Sequence, residues 1–189
     1  MTTHGRSAGR VQCATARLRL VALDEALAGL QLRKPAEFFR ALNVSPEAAW
    51  PPELHDAETM QHTLDRLSAS PDETGWHGWV FIMRWADDAP GRLVGAGGFH
   101  GRPDAQGIVE IGYSMLPSFR EQGLATEAVK GLVGWALGHE AVTAITARTL
   151  ADGRASRRVL EKAGFRLTGE ISDPSEGQLA LYTLARKAA

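Results

Sequence analysis

Two hydrophobic periods run through this chain, one of two residues and one near 3.6, and the switches between them lay out its elements. Arg17-Leu18-Arg19-Leu20-Val21 alternates as a half-buried strand does. Asp24 stands where a helix cap belongs, ahead of Glu25-Ala26-Leu27. Prolines at 35, 46, 51 and 52 break the next stretch into short pieces, with a helix over 36–42 and a turn at 46–49. Residues 56–67 put Met60, Leu64 and Leu67 on one helical stripe. After a turn at 71–75 come strands over 76–85 and 93–99, joined by a turn at 87–91. A turn at 102–107 leads into a strand over 108–116.

The period then changes. From about 123 to 137, Ala125, Ala128, Val129, Leu132, Val133, Ala136 and Leu137 share one helical face. Gly131, Gly134 and Gly138 cost that helix about 1 kcal/mol each against alanine, which suits close packing on a sheet. A strand follows over 142–149. Asp152 is placed to cap a last helix, and Gly164 to end it in the left-handed conformation. Strands over 165–171 and 178–184 flank the Asp173-Pro174 turn.

The order is β, helices, βββ, α, β, α, ββ. It predicts an α/β chain of the α+β type: a mixed, mostly antiparallel sheet of about seven strands with helices on both faces. Residues 1–14 are small and polar and read as a loose tail; no linker or repeat divides 15–189, which reads as one domain.

Composition removes some classes of function. The chain has 189 residues, 44% hydrophobic and 23% charged, with a formal net charge of −1. No basic field is available for nucleic acid. No apolar run approaches a membrane span, and the first ten residues lack the apolar core of a signal peptide, so the cytoplasm is the expected address. Cys13 is the single cysteine. It allows no intrachain disulfide and reads as a spare thiol rather than a nucleophile. His55 and His62 have no third ligand at metal spacing, so no metal is expected.

The most informative stretch is Ser118-Phe119-Arg120-Glu121-Gln122-Gly123-Leu124-Ala125-Thr126-Glu127-Ala128. It joins a strand closed by Pro117 to the start of a helix. Such a turn aims unpaired backbone N–H groups, and the positive end of the helix, at one point. That point suits a phosphate. Gly123 and Ala125 have little or no side chain to keep a pyrophosphate away, and Arg120 brings a charge. The string alone is also compatible with an ordinary strand-to-helix turn. It is neither of the two common nucleotide-binding glycine loops.

The segment resembles the acyl-coenzyme A pyrophosphate loop of the GNAT N-acetyltransferase superfamily. A second block, Ala155-Ser156-Arg157-Arg158-Val159-Leu160-Glu161-Lys162-Ala163-Gly164-Phe165, resembles the helix and strand that close the coenzyme A cleft there. Upstream, Glu110-Ile111-Gly112-Tyr113 looks like the strand entering the loop, particularly in the branch related to ribosomal-protein N-terminal acetyltransferases. The resemblance covers 108–165 well and the first half loosely. It implies the acyl-CoA N-acyltransferase fold and acetyl-CoA as co-substrate. It implies that backbone amides at Gln122, Gly123, Leu124, Ala125 and Thr126 grip the pyrophosphate, with Arg120 and Arg157 near phosphates. It further implies that the strand at Met115 and Leu116 pairs with pantetheine, splaying from its parallel neighbour over 144–149. Ser156 falls where that branch places a serine facing the coenzyme sulfur. Where the family commonly has asparagine, this chain has Gly153.

Acetyl transfer to an amine also needs a proton acceptor, an oxyanion partner and a route for the thiolate to leave. Glu110 is the first candidate base, against a reading in which it merely pairs with an arginine. His100, at a strand end, is the second; imidazoles as a class titrate near neutrality, but a loop histidine without a role competes. Tyr113 reads as core with a tied hydroxyl. Ser156 is a candidate acid for the thiolate, against a serine that only stabilises the first helical turn. Arg154 and Arg158 join Arg157 as candidate phosphate contacts or a solvated face. Trp50, Trp76 and Trp79 suggest an aromatic acceptor lining, against ordinary core packing.

The reading is an acetyl-CoA-dependent N-acetyltransferase using direct attack in a ternary complex, with Glu110 and Ser156 as catalytic candidates. The acceptor is a small amine or a protein N-terminal α-amine, walled by residues 23–67. No nucleic-acid or membrane partner is expected, and a homodimer is left open. The competing class is a non-catalytic acyl-CoA-binding regulatory module.

Overall fold

The computed structural model describes residues 3–4, 9–84 and 89–187. Ten strands and five α-helices follow in chain order: β1 Thr3–His4, β2 Gln12–Ala14, β3 Leu18–Ala22, α1 Glu25–Arg33, α2 Pro35–Leu42, β4 Val44–Ser45, α3 Ala57–Ala69, β5 Gly78–Met83, β6 Gly91–Phe99, β7 Ile108–Met115, α4 Leu124–Leu137, β8 Ala144–Leu150, α5 Arg154–Ala163, β9 Arg166–Asp173 and β10 Gly177–Ala185. Nine strands form one path, β1-β2-β3-β5-β6-β7-β8-β10-β9, and β4 pairs beside β6. Among the described residues, only β4–β6 and β7–β8 are parallel.

All seven expected strands are present, and the sheet exceeds the expected size through β1, β2 and β4. These are two or three residues long, too short for a period-two pattern to register. The loose tail must therefore be shortened. Gln12–Ala14 pairs with β3, and Cys13 is buried beneath it, its thiol pushed up to about 12 by burial. That thiol is a packing group, not a reactive one. The expected turn at 87–91 and Trp85 fall partly or wholly outside the described residues.

Alternation along the strands sorts side chains onto two faces. Leu18, Leu20, Trp79, Phe81 and Val94 join a cluster with α4, while Val21, Val80, Ile82 and Leu93 join one with α1, α2 and α3. Helices therefore cover both faces. Asp24 and Asp56 cap α1 and α3 through their carboxylates, as the sequence suggests for Asp24. Asp152 does not cap α5; Gly153 takes that position and offers no side-chain bond. Gly164 ends α5 at φ 100°, the left-handed position expected of it. Gly131 also fulfils its expected purpose: a Cβ there would lie 2.6 Å from Leu20 Cδ1 and 2.9 Å from Thr15 Cγ2.

Candidate functional site

The centre of the molecule is a gap between parallel strands. β7 and β8 pair at Ile108↔Ala144, Val109↔Ile145 and Glu110↔Thr146, and then part. Both strands continue, β7 held by β6 and β8 by β10. The opening is thus braced from outside and is not a frayed edge. Glu110 O accepts from His100 N at 3.0 Å, and Leu116 N donates to Val94 O at 3.0 Å. In an antiparallel ladder the direction of bonding alternates. The even residues of β7 therefore face β6, and Ile111, Tyr113 and Met115 aim their backbone groups into the gap. Leu116, expected to offer its amide to a ligand, has it engaged by β6.

At the end of β7 the chain turns through Pro117–Phe119 and reaches Gly123 at φ 76°, the N-cap of α4. The first intrahelical bond is Glu127 N–H to Gly123 O at 3.1 Å. The amides of Leu124, Ala125 and Thr126 precede it and have no intrahelical acceptor. Leu124 is buried and anchors the turn, while Gln122 and Gly123 are exposed. The Gln122 side chain folds back on Ser118 O at 2.9 Å.

A brace that sequence reading missed holds this turn. Glu127 accepts from Thr15 Oγ1 and from Arg17 N, each at 2.6 Å, and from Arg17 Nε at 2.7 Å. Arg17 Nη1 donates to Gln122 O at 3.0 Å. Burial would raise the Glu127 carboxyl, but these donors outweigh it and hold it below its ordinary value. Thr15 and Arg17 lie more than a hundred residues before the loop, so no local pattern could announce them. The only local signal is an acidic residue in the first turn of α4.

Arg120 is less free than expected. Its Nε donates to Met115 O at 3.1 Å and its Nη2 to Glu53 Oε2 at 2.9 Å, tying the loop to the segment before α3. Arg157 turns inward, to Tyr182 Oη at 3.1 Å and Ala151 O at 2.7 Å. Arg154 and Arg158 stay exposed beside it, around an open depression of about 360 Å³ that Glu161 also lines. Gly153 fits its place sterically, since a Cβ would lie 2.9 Å from Leu150 O.

Glu110 accepts from Arg148 Nε at 2.8 Å and lies 3.4 Å from His100 Nδ1. Burial would raise its carboxyl, but His100 and Arg148 together hold it below the ordinary value. Ser156 sits in the first turn of α5, and its carbonyl accepts from Tyr113 Oη at 3.1 Å. Burial raises the Tyr113 hydroxyl, which stays protonated, in keeping with a tied core residue. The site thus gathers β7, the loop, α4 and the start of α5. Trp76 and Trp79 are excluded from it: both are buried on the α4 face, with Trp135 at 4.7 and 5.1 Å between ring centroids. Trp50 packs against both core clusters, with the Phe38 ring at 6.2 Å. Among the described residues no three His, Cys, Asp or Glu side chains cluster as metal ligands, and no helix is long and apolar enough to cross a membrane.

Comparison with known proteins agrees with this arrangement. Residues 17–166 match the acetyltransferase (GNAT) domain family. The uncharacterized N-acetyltransferase YjdG of Bacillus subtilis (strain 168) is 32% identical over 159 residues, 84% of this chain and 92% of that protein. Among solved structures, the ribosomal-protein α-N-acetyltransferase RimL in complex with coenzyme A superposes with a TM-score of 0.62 at 16% identity, over 90% of this chain and 95% of that one. The aminoglycoside acetyltransferase AAC(6')-Ib in complex with coenzyme A and kanamycin gives 0.58 at 21% identity, over 89% and 95%. A splayed parallel pair, a glycine-started helix and a family match across both place this chain in the GNAT family, as an N-acetyltransferase.

Proposed function

We propose that this protein transfers the acetyl group of acetyl-CoA to a primary amine by direct attack within a ternary complex. The observation that carries this reading is the braced gap beside β7, which opens towards the uncapped amides of α4. An extended, amide-bearing pantetheine arm suits the inward-facing backbone groups of Ile111, Tyr113 and Met115, much as a peptide adds to a sheet edge. A pyrophosphate suits the amides of Gln122 to Thr126. Arg120, now on Glu53, and the exposed Arg154 and Arg158 are the cations placed to approach phosphates. Arg157 acts indirectly, by fixing the turn before α5. Ser156 is the candidate donor to the leaving thiolate, and Glu110 with His100 forms the candidate proton-accepting pair.

The acceptor is a small amine or a protein N-terminal α-amine, and α1 to α3 with the segment before α3 form its wall. RimL and AAC(6')-Ib represent those two acceptor classes on this fold. The deciding experiment supplies acetyl-CoA with aminoglycosides, polyamines, amino acids and short N-terminal peptides, and follows free thiol. Thiol release with one class supports the reading and names the acceptor. Tight acetyl-CoA binding with no thiol from any amine would instead mark a non-catalytic binding module.

A further inference from the structure

We propose that His100 is the general base of this acetyltransferase, with Glu110 as the positioning residue that holds its ring. The inference rests on the acetyl-transfer reading above and deepens it. His100 follows the last residue of β6, and its backbone N–H bonds Glu110 O at 3.0 Å. Gly101 N bonds Trp76 O at 3.0 Å, so the chain is fixed on both sides of the ring. The Nδ1 atom faces Glu110 Oε1 at 3.4 Å. A carboxylate can only accept there, so the proton of a neutral ring belongs on Nδ1, and the lone pair on Nε2.

Nε2 is directed usefully. A Cβ on Gly112 would lie 3.3 Å from it, so the nitrogen rests over bare backbone of β7. Gly112 is two residues beyond Glu110, on the same face of the strand. It is also past Glu110↔Thr146, the last paired position before the gap opens. Among the described residues Nε2 has no hydrogen-bond partner, and the side chain is 58% exposed, so an incoming ammonium can reach it.

Glu110 is the poorer base by the same geometry. Oε1 is already shared between Arg148 Nε and His100, and its carboxyl lies below the ordinary value despite burial. An imidazole is, as a class, a stronger base than a carboxylate. Among the described residues Arg148 is the one other charged group that forms an ion pair with His100 or Glu110; Asp173, at the end of β9, and Glu176, in the turn after it, act on Arg148.

Nε2 takes one proton from the substrate ammonium. The freed nitrogen lone pair forms the C–N bond to the thioester carbonyl carbon. The C–S bond then breaks, its electron pair leaving on sulfur, and a second proton from nitrogen ends on the thiolate. Amide and thiol leave, and the imidazolium returns its proton to solvent.

The test compares wild type, His100→Gln and Glu110→Gln, using acetyl-CoA and whichever amine the panel identifies. kcat/KM is measured across pH, acetyl-CoA affinity by calorimetry, and the His100 tautomer by ¹⁵N NMR. His100→Gln should lose about 10²–10⁴-fold in kcat/KM near neutrality, keep acetyl-CoA affinity, and recover part of the rate at alkaline pH. Glu110→Gln should lose about tenfold and keep the pH limb, as a loosened positioning bond predicts. The wild-type ring should be the Nδ1–H tautomer. Full turnover in His100→Gln, a larger loss in Glu110→Gln, or an Nε2–H tautomer would each overturn the assignment while leaving acetyl transfer intact. Wild type that acetylates no amine would sink the acetyl-transfer reading itself, and the base with it.

Discussion

The α4 loop and the segment before α3, joined by the Arg120–Glu53 pair, are built on different terms. On the α4 side the backbone does the positioning: Gly123 sets the turn, Leu124 anchors it, and Glu127 collects three donors from Thr15 and Arg17. The side chains of Glu127, Arg17 and Gln122 are bonded there, while the amides of Leu124, Ala125 and Thr126 have no intrahelical acceptor. On the α3 side, the segment before the helix carries loose ends. Trp50 Nε1 and His55 Nδ1 are buried without a partner, and Leu54 is 80% exposed at φ 67°. Buried polar atoms without partners cost about 1–3 kcal/mol each. One side therefore has its side chains fixed and presents free backbone amides, while the other holds buried side-chain polar atoms that a rearrangement or a ligand would satisfy. A constant co-substrate suits the first and a particular acceptor the second.

The largest effect that would sharpen this contrast is expected at Gly123. A Cβ there would meet only Arg17 Nη2, at 3.6 Å, so the cost is conformational and not a clash within the protein. A β-branched residue at φ 76° is strained by roughly 1–3 kcal/mol. Gly123→Val should weaken acetyl-CoA binding by about 10–100-fold in calorimetry, with the amine KM little changed. Unchanged affinity in a folded variant would remove the pyrophosphate from this turn.

Gly131 tests the same side by stability. Alanine gains helix propensity of about 1 kcal/mol, but its methyl would press on buried Leu20 and on Thr15, the residue that bonds Glu127. Overpacking of this kind costs about 1–3 kcal/mol. Gly131→Ala should lower the unfolding free energy by a net of up to about 2 kcal/mol, read as a lower denaturant midpoint, with cofactor affinity falling alongside as Thr15 shifts. A gain in stability would show that β3 and α4 can separate freely.

How much was legible follows the same division. The loop, α4 and α5 were readable because their signals are local: a glycine at a helix start, a proline closing a strand, an apolar face. Ser156 and Arg157 could be placed on α5, yet the inward turn of Arg157 depends on Tyr182, a strand away. Glu110 could be put on β7, but its partners His100 and Arg148 come from the residue after β6 and from β8. Trp76 and Trp79 were ambiguous, because a tryptophan in a sequence does not tell which face of the sheet it joins. Strands β1, β2 and β4 were invisible for their brevity. What sequence could not give was set throughout by contacts between distant segments.

On the α3 side the expected effect is a pH dependence of stability. Burial pushes the His55 imidazole down to about 4, with nearby Asp56 only partly offsetting it. The unfolded chain, near 6.5, therefore binds more protons than the folded one between those values. The sign follows: the contribution is complete above about pH 6.5 and is lost as pH falls towards 4. The whole interval corresponds to about 3 kcal/mol; allowing for partial exposure, about 1–2 kcal/mol is expected. Urea titrations at pH 7 and pH 4.5 should show that much extra acid destabilisation in wild type, and less in His55→Gln. Equal acid sensitivity in both would mean that His55 is already solvated and that the segment is not strained there.

The smallest effect probes the link between the two sides. Arg120 and Glu53 are 44% and 72% exposed, and such a pair contributes about 0–1 kcal/mol. Arg120 can therefore exchange Glu53 for a phosphate at little cost, keeping its Nε on Met115 O. Arg120→Ala should weaken acetyl-CoA binding by about three- to fivefold at low salt, with the difference closing near 0.5 M as screening shortens the reach of the charge. Glu53→Gln should act in the opposite direction, tightening binding by less than about threefold, because it frees the guanidinium. If Glu53→Gln weakens binding as Arg120→Ala does, the ion pair shapes the cofactor site from the acceptor side. The two sides would then form one unit, and acceptor and cofactor affinities should move together in every variant of segment 50–56.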